Sequence, residues 1–376
     1  MNNQNSSPTQ PVHWLLRSLI FGLIIACFSI YRAFPSDVLA YAVIIVFLAC
    51  AYKICDRKSV FVIIFAICGA ILGLTSPKAL ASIVSLITSA AGGAALLTSK
   101  RGSVIYIGAI AAALAAALTI SPSSETAIQI LTPLPAAIVL AVCSRKKATR
   151  VSAICAVSAT LIAVWLIPLA ISVYTTYGGD VGSFIESTKS AYTSTFVEAF
   201  ELFSSSLEVK LFESISKEIL VATAELIFAL IPSIVIAIAN IISFMITGLN
   251  AIIRCTQCGG INIREASFRL SSVSAWIYII SLLAIIFSFG SSRSAEVLAL
   301  SMANVNIILT PAFVLVGAAA SISKARHKKG SGVFRIIITV IAFMYVGVLV
   351  LYPIALYGAT TTLKLNRIKP FINTKE

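Results

Sequence analysis

The chain has 376 residues, of which 59% are hydrophobic and only 11% are charged, and its mean hydropathy is +1.00. A soluble domain of this length does not need so apolar a composition, so the sequence predicts an all-α, polytopic transmembrane helical bundle. The formal net charge of +14 would suggest nucleic-acid binding in a soluble protein. Here the basic residues stand in short segments between apolar runs, which is how membrane topology is encoded. We therefore expect a lipid bilayer as the partner, and no nucleic acid.

Apolar segments follow one another along almost the whole chain. After a polar stretch at residues 1–13, which we expect to be disordered, the pattern predicts about 11 spans, plus or minus two. The predicted spans cover residues 14–34, 38–52, 60–74, 79–98, 103–120, 128–143, 151–174, 229–253, 273–289, 297–321 and 334–358. With the N-terminus in the bacterial cytoplasm, most loop lysines and arginines fall on the cytoplasmic side of a multi-pass plasma-membrane protein. Strict alternation would place the basic tail after residue 358 on the other side.

The longest connection between spans is residues 175–217. Together with the adjoining Glu218 it holds seven of the fourteen acidic residues. Large apolar residues recur in it at spacings of four, three, four and four: Phe196, Phe200, Phe203, Leu207 and Leu211. This spacing predicts an amphipathic extracytoplasmic helix. Such a helix would lie on the outer leaflet or cap the bundle, or it would gate a binding site.

One long helix is predicted to carry a polar stripe. Residues 218–253 contain no lysine or arginine and would form a helix of about 54 Å, longer than a bilayer core of about 30 Å. At 100° per residue, seven polar side chains fall on one side, and we call them the polar stripe: Glu218, Glu225, Ser233, Asn240, Ser243, Thr247 and Asn250. Such a stripe should face protein or water. It is either an interhelical hydrogen-bonding face or the lining of a solute path.

If the polar stripe lines a cavity, its membrane-embedded members bind the ligand. Asn304 and Asn306 are about 200° apart on a later helix, so at most one of them can face the same cavity. Two prolines would bend a helix beside it and free backbone groups for a ligand. The candidate ligand-binding residues are Asn240, Ser243, Thr247, Asn304, Asn306, Pro133 and Pro135.

Small residues recur at every fourth position of an alanine-rich span, at Ala109, Ala113 and Ala117. This spacing is typical of tight helix contact. The contact would lie within the chain, or it would dock a partner helix.

The sequence contains few groups that could carry chemistry. Cys255 and Cys258 form the CxxC pair, but a zinc site needs four ligands and the chain has only two histidines, His13 and His327. HExxH, GxSxG and phosphate-loop motifs are absent, and the ionisable groups needed for catalysis are missing from the spans. We expect no catalytic residue, no metal, no cofactor, and hence no enzyme.

Several short motifs in the second part of the chain resemble the YybS-like family of uncharacterised bacterial integral membrane proteins. They are residues 131–135 (LTPLP), the proline-marked helix from Leu230 to Arg254, Ser267–Arg269 leading to Trp276, Asn304 and Asn306 before 313–317, and Gly358. The resemblance covers residues 100–370 and leaves a four-span region at 14–99 and a tail at 371–376. After Gly358 the family pattern has an acidic residue before a basic one, whereas this chain has Thr360 to Thr362 and then Lys364.

The YybS-like family is distantly similar to the S components of energy-coupling-factor transporters. The resemblance implies a bundle that binds an unknown small-molecule solute and depends on an energising membrane subunit or on a homo-oligomer. Ala109, Ala113 and Ala117 would then dock that partner. The alternative is a non-enzymatic membrane scaffold or regulator of the cell envelope, in which side chains would close the space beside Asn240.

Overall fold

The computed structural model describes residues 10–54, 68–69, 75–207, 216–258, 268–288, 293–326 and 348–368. Within these ranges the chain is almost entirely helical and contains no strand, which confirms the all-α prediction. Six of the described helices are long and apolar enough to cross a membrane. The helices are α1 Gln10–Ala33, α2 Asp37–Ile54, α3 Pro77–Leu97, α4 Lys100–Ile120, α5 Ser124–Leu131, α6 Pro133–Arg145, α7 Arg150–Tyr177, α8 Val181–Leu207, α9 Lys217–Cys258, α10 Ser272–Phe287, α11 Arg293–Arg326 and α12 Val348–Ile368.

Helix α3 forms the centre of the larger helix group. It packs against α1, α2, α4, α6 and α9, and 83% of its most apolar stretch is buried. Its glycines permit this packing, because a Cβ atom on Gly92 would lie 2.1 Å from the Phe21 ring and one on Gly93 would lie 2.3 Å from the Tyr106 ring. Small residues on α3 therefore let aromatic rings of α1 and α4 contact its backbone.

Helices α10, α11 and α12 form a second group with its own core. That core contains Ala275, Tyr278, Phe313, Ala355 and Ala359. Helix α9 joins the two groups, since it packs against α3 and α7 and also against α11.

The tail end of α12 lies beside the beginning of α10. Arg269 Nε donates to Asn366 Oδ1 at 2.8 Å, and Asn366 Nδ2 donates to the Leu270 carbonyl at 3.0 Å. The helix that includes the end of the predicted last span continues through Gly358 to Ile368. The described end of α12, at Asn366, is thus on the same side of the bundle as Arg269.

The acidic residues of the described ranges lie at one end of the bundle, and basic residues predominate at the other end. We call the end that holds Arg145, Arg150, Arg269 and Asn366 the basic end; there Arg145 donates to the Leu97 carbonyl and Arg150 lies 4.6 Å from the centre of the Phe244 ring. We call the other end the acidic end. All nine acidic residues in the described ranges belong to the acidic end: Asp37, Glu125, Asp180, Glu186, Glu198, Glu201, Glu218, Glu225 and Glu296. This is the asymmetry that the positive-inside rule produces.

The predicted amphipathic helix is present as α8 at the acidic end, although Leu211 lies outside the described residues. Gly178, in the left-handed conformation with φ of 59°, ends α7. Asp180 then accepts hydrogen bonds from the backbone N–H groups of Gly182 and Ser183 at the start of α8. The hydrogen bonds from Ser183 lower the pKa of this carboxyl below its ordinary value. The turn thereby directs α8 back onto α9.

The closest backbone approach in the second group is between α11 and α12. A Cβ atom on Gly358 would lie 2.0 Å from the Phe313 carbonyl oxygen, and one on Gly317 would lie 2.1 Å from that of Ile354. We expect Gly358→Ala to destabilise the protein by about 1–3 kcal/mol, because the helices must move apart. Thermal unfolding in detergent measures this. Gly108→Ala is the control, because a Cβ atom there meets nothing within 4 Å; equal melting temperatures for the two variants would refute the tight crossing.

Candidate functional site

The polar stripe of α9 faces the protein interior, as its periodicity predicted. Ser233, Ser243, Thr247 and Asn250 are buried, and Asn240 is half-buried. Glu218 and Glu225 are exposed at the acidic end. The stripe therefore consists of an exposed acidic part and a buried neutral part.

Most of the buried stripe residues have hydrogen-bond partners within the protein. Asn250 Nδ2 donates to the Ala91 carbonyl of α3 at 2.9 Å. The Thr247 hydroxyl donates to the Phe244 carbonyl at 3.0 Å, and the Ser233 hydroxyl donates to Leu230 at 2.8 Å. These groups are satisfied by helix packing and by their own helix, so they need no ligand.

Ser243 is the exception on the polar stripe. Its side chain is fully buried, and its hydroxyl oxygen has no hydrogen-bond partner among the described residues. A buried polar group left in this state costs about 1–3 kcal/mol. Asn240 lies three residues earlier on the same face of α9. The hydroxyl of Ser243 and the amide of Asn240 thus form the part of the stripe that could hydrogen-bond to a bound molecule.

The two asparagines of α11 have different environments, as their 200° separation predicted. Asn306 is fully buried and donates to the Ser281 hydroxyl of α10 at 3.2 Å. Ser281 in turn donates to the Tyr278 carbonyl at 2.8 Å, and the Thr310 hydroxyl donates to the Asn306 carbonyl at 2.8 Å. Asn304 is half-buried and donates to the Leu300 carbonyl of its own helix at 3.0 Å. Asn306 therefore joins α10 to α11.

The two candidate prolines lie at the beginning of α6. Pro133 is fully buried at the first position of this helix, and Pro135 is half-buried. Helix α6 packs against α3 and α7. The seven candidate ligand-binding residues thus occupy three places, on α9, on α11 and at the start of α6, of which α9 and α11 are in contact.

The alanine face of α4 is covered by other parts of the same chain. Ala113 and Ala117 are fully buried in the main core. A Cβ atom on Gly22 of α1 would lie 3.9 Å from the Ala109 Cβ, so α1 covers this part of the face. The tight contact predicted from the spacing is therefore an internal one, and an approaching helix would find this face occupied.

A polar groove of about 510 Å³ lies at the acidic end, between α8 and the beginning of α9. Its charged lining residues are Glu186, Glu198, Glu201, Glu225, Lys189 and Lys217. Lys189 Nζ lies 2.8 Å from Glu225 Oε1 and joins the two helices. The Tyr192 and Phe228 rings, 5.8 Å apart, form a second contact between them.

An apolar pocket of about 50 Å³ lies between α1, α2, α3 and α9. Its lining includes Phe21, Phe47 and Leu249. Among the described residues, no three His, Cys, Asp or Glu side chains converge as a metal site would require. The side chains of Cys255 and Cys258, and the whole of His327, lie outside the described residues.

The helices, their length and their polar-inward arrangement define an integral membrane protein. The chain matches the family described as predicted membrane protein (DUF2232) over residues 63–360. This is more than three quarters of the chain, so the protein belongs to the DUF2232 family. The match includes α3, which the sequence analysis assigned to a separate N-terminal region, and α3 is the centre of the larger helix group. Comparison with curated proteins and with solved structures gave no match.

Two fully buried serines provide a test of the Ser243 environment. We expect Ser243→Ala to leave stability unchanged or to raise it, because the variant removes an unsatisfied hydroxyl. Ser281→Ala should lower stability by roughly 0.6–1.7 kcal/mol, because Asn306 loses its partner. Both are measured by thermal unfolding of the ligand-free protein in detergent. A loss in Ser243→Ala as large as that in Ser281→Ala would mean that the Ser243 hydroxyl is already bonded.

Proposed function

We propose that this membrane protein is a transport-type, solute-binding helical bundle, comparable in role to the S components of energy-coupling-factor transporters. It would bind a small-molecule solute and take energy from a separate membrane subunit or from a homo-oligomer. The proposal assigns no catalytic step to this chain. The observation that carries it is the fully buried and unbonded hydroxyl of Ser243.

The comparison between Ser243 and its neighbours supports a ligand site. Ser233, Thr247 and Thr310 each donate to a carbonyl three or four residues earlier in their own helix. Ser243 could form the same bond without cost to the backbone, yet it does not. In the low dielectric of a membrane bundle, a solute that supplies a donor or an acceptor would gain a strong hydrogen bond there. Asn240 would supply both a donor and an acceptor beside it.

The groove between α8 and α9 supports access of a polar solute from the acidic end. Its volume of about 510 Å³ lies within the range of about 300–1,000 Å³ that is usual for small-molecule sites. The four carboxylates exceed the two ammonium groups, which favours a solute with at least one positive charge. In this proposal α8 covers the groove, and a solute would pass from the groove along α9 to reach Asn240 and Ser243.

A membrane scaffold or regulator of the cell envelope is the second candidate. The hydrogen bonds from Asn250 to Ala91 and from Asn306 to Ser281 favour it, because they use intramembrane amides to join helices. In this alternative the polar stripe serves only to pack α9 against other helices, and Asn240 is part of that packing face.

Variants of the two stripe asparagines separate these candidates. Asn240→Leu should abolish the co-purification of a small molecule that wild-type protein retains, with little change in stability. Asn250→Leu, the matched control, should lower stability by roughly 0.6–1.7 kcal/mol, because the bond to α3 is lost. Mass spectrometry of extracts from purified protein, together with thermal unfolding, gives both readouts. If Asn240→Leu destabilises the protein and no molecule co-purifies with wild type, the scaffold role is favoured instead.

The charge asymmetry supports a location in the bacterial cytoplasmic membrane with the basic end, and the N-terminus, in the cytoplasm. Because Asn366 lies beside Arg269, the C-terminal tail would also be cytoplasmic. A green fluorescent protein fused after Glu376 should therefore fluoresce, whereas alkaline phosphatase at the same position should be inactive. A fusion within α8 should give the reverse pattern. Phosphatase activity at the C-terminus would overturn this orientation.

A further inference from the structure

Arg32 has an unusual environment near the end of α1. Its Nε donates to the Gln129 carbonyl of α5 at 3.0 Å. Its Nη1 is buried and has no hydrogen-bond partner among the described residues. The guanidinium group therefore carries N–H donors that point into the protein and are not satisfied by it.

No carboxylate neutralises this guanidinium within the described part of the chain. Asp37, which is close in sequence, instead pairs with Lys78, with 3.5 Å between Oδ2 and Nζ. Glu125 on α5 is exposed. The other ion pair in the described residues joins Lys189 to Glu225. Arg32 is thus a cation at the acidic end that has no counter-ion among the described residues.

Two arginines at the basic end have hydrogen-bond partners within the protein. Arg145 donates to the Leu97 carbonyl at the rim of the bundle, and Arg269 donates to both the side chain of Asn366 and the Leu365 carbonyl. The Arg32 side chain is half-buried and has no carboxylate partner among the described residues, so an anion bound there would offset its desolvation cost. The planar guanidinium has parallel N–H groups whose geometry fits the oxygens of a phosphate.

We propose that Arg32 binds a phosphate group at the acidic end, beside the contact between the end of α1 and α5. Nη1 donates to a phosphate oxygen, and the Nε–H bond to Gln129 keeps the guanidinium in position. The phosphate belongs either to a phospholipid headgroup or to free inorganic phosphate. Arg32 is the penultimate residue of α1, where a spanning helix reaches the headgroup level. This site is independent of Asn240 and Ser243, so it does not rest on the proposed solute function.

Native mass spectrometry of the delipidated full chain in detergent tests the proposal. One arm adds dioleoyl phosphatidylglycerol, a second adds inorganic phosphate, and a third adds dioleoylglycerol, which has the acyl chains without the phosphate. Wild type should bind at least one of the first two probes more strongly than dioleoylglycerol. Binding in the first arm identifies a lipid headgroup, and binding in the second identifies free phosphate. Wild type that binds neither phosphate probe more strongly than dioleoylglycerol would overturn the proposal.

Three variants assign the binding to Arg32. Arg32→Gln should weaken it about tenfold or more, as expected for a hydrogen bond to a charged group. Arg32→Lys, which keeps the charge without the planar fork, should weaken it several-fold. Lys78→Gln removes the same charge at the same end and should change it less than about twofold, because the Lys78 side chain is exposed and paired.

Equal effects of Arg32→Gln and Lys78→Gln would mean that only net charge matters and would refute the assignment. Unchanged binding in Arg32→Gln would refute it as well. If Arg32→Gln does not fold, binding is compared with Arg32→Lys instead, because this variant keeps the cation and the aliphatic part of the side chain. An affinity of Arg32→Lys equal to that of Lys78→Gln would then exclude guanidinium recognition.

Discussion

The structure depends on the close approach of helices to α3. Inside a bilayer the hydrophobic effect does not drive helices together, so van der Waals packing and interhelical hydrogen bonds must hold them. The small residues of α3 meet this requirement, because Gly92 and Gly93 accept the rings of Phe21 and Tyr106 directly on the backbone. Polar contacts then set the register: Ser85 donates to the Phe28 carbonyl of α1, and Ala91 accepts from Asn250 of α9. In the second group, glycines at the α11–α12 crossing likewise let two helix backbones approach closely.

Hydrogen-bond satisfaction separates structural polar groups from candidate functional ones. In water an unpaired hydroxyl or guanidinium can be solvated, but within a membrane bundle it needs a partner from the protein or from a ligand. Asn250 and Asn306 have such partners on neighbouring helices. Ser243 and the Nη1 of Arg32 do not. The buried hydroxyls of Thr88, Ser89 and Tyr106 also lack a partner among the described residues. Ser243 and Arg32 lie on different helices and differ in charge, so they lead to two separate proposals, one for a solute and one for a phosphate.

Periodicity alone could predict the helices and the inward side of α9, because both depend on local spacing. The spacing of Phe196 and Phe200 likewise predicted α8. It could not separate Asn240 from Asn250, since both are amides on the same stripe. Their roles differ because Ala91, 159 positions away from Asn250, lies opposite one and not the other. Periodicity also could not identify the partners of Arg32 and Ala113. Those partners depend on how the helices pack, which the spacing of residues along the chain does not encode. The contact of the α12 end with Arg269 is likewise a long-range one that spacing along the chain does not encode.

The length of α9 connects these features. Its 42 residues make a helix of about 63 Å, roughly twice the thickness of a bilayer core. The excess length projects at the acidic end, where α8 packs on it through Lys189 and Glu225 and encloses the polar groove. Within the bundle the same helix contacts α3 on one side and α11 on the other. Helix α9 therefore carries the groove toward one end and contacts both helix groups within the bundle, and Pro232 lies inside the helix between Glu225 of the groove and the buried part of the polar stripe.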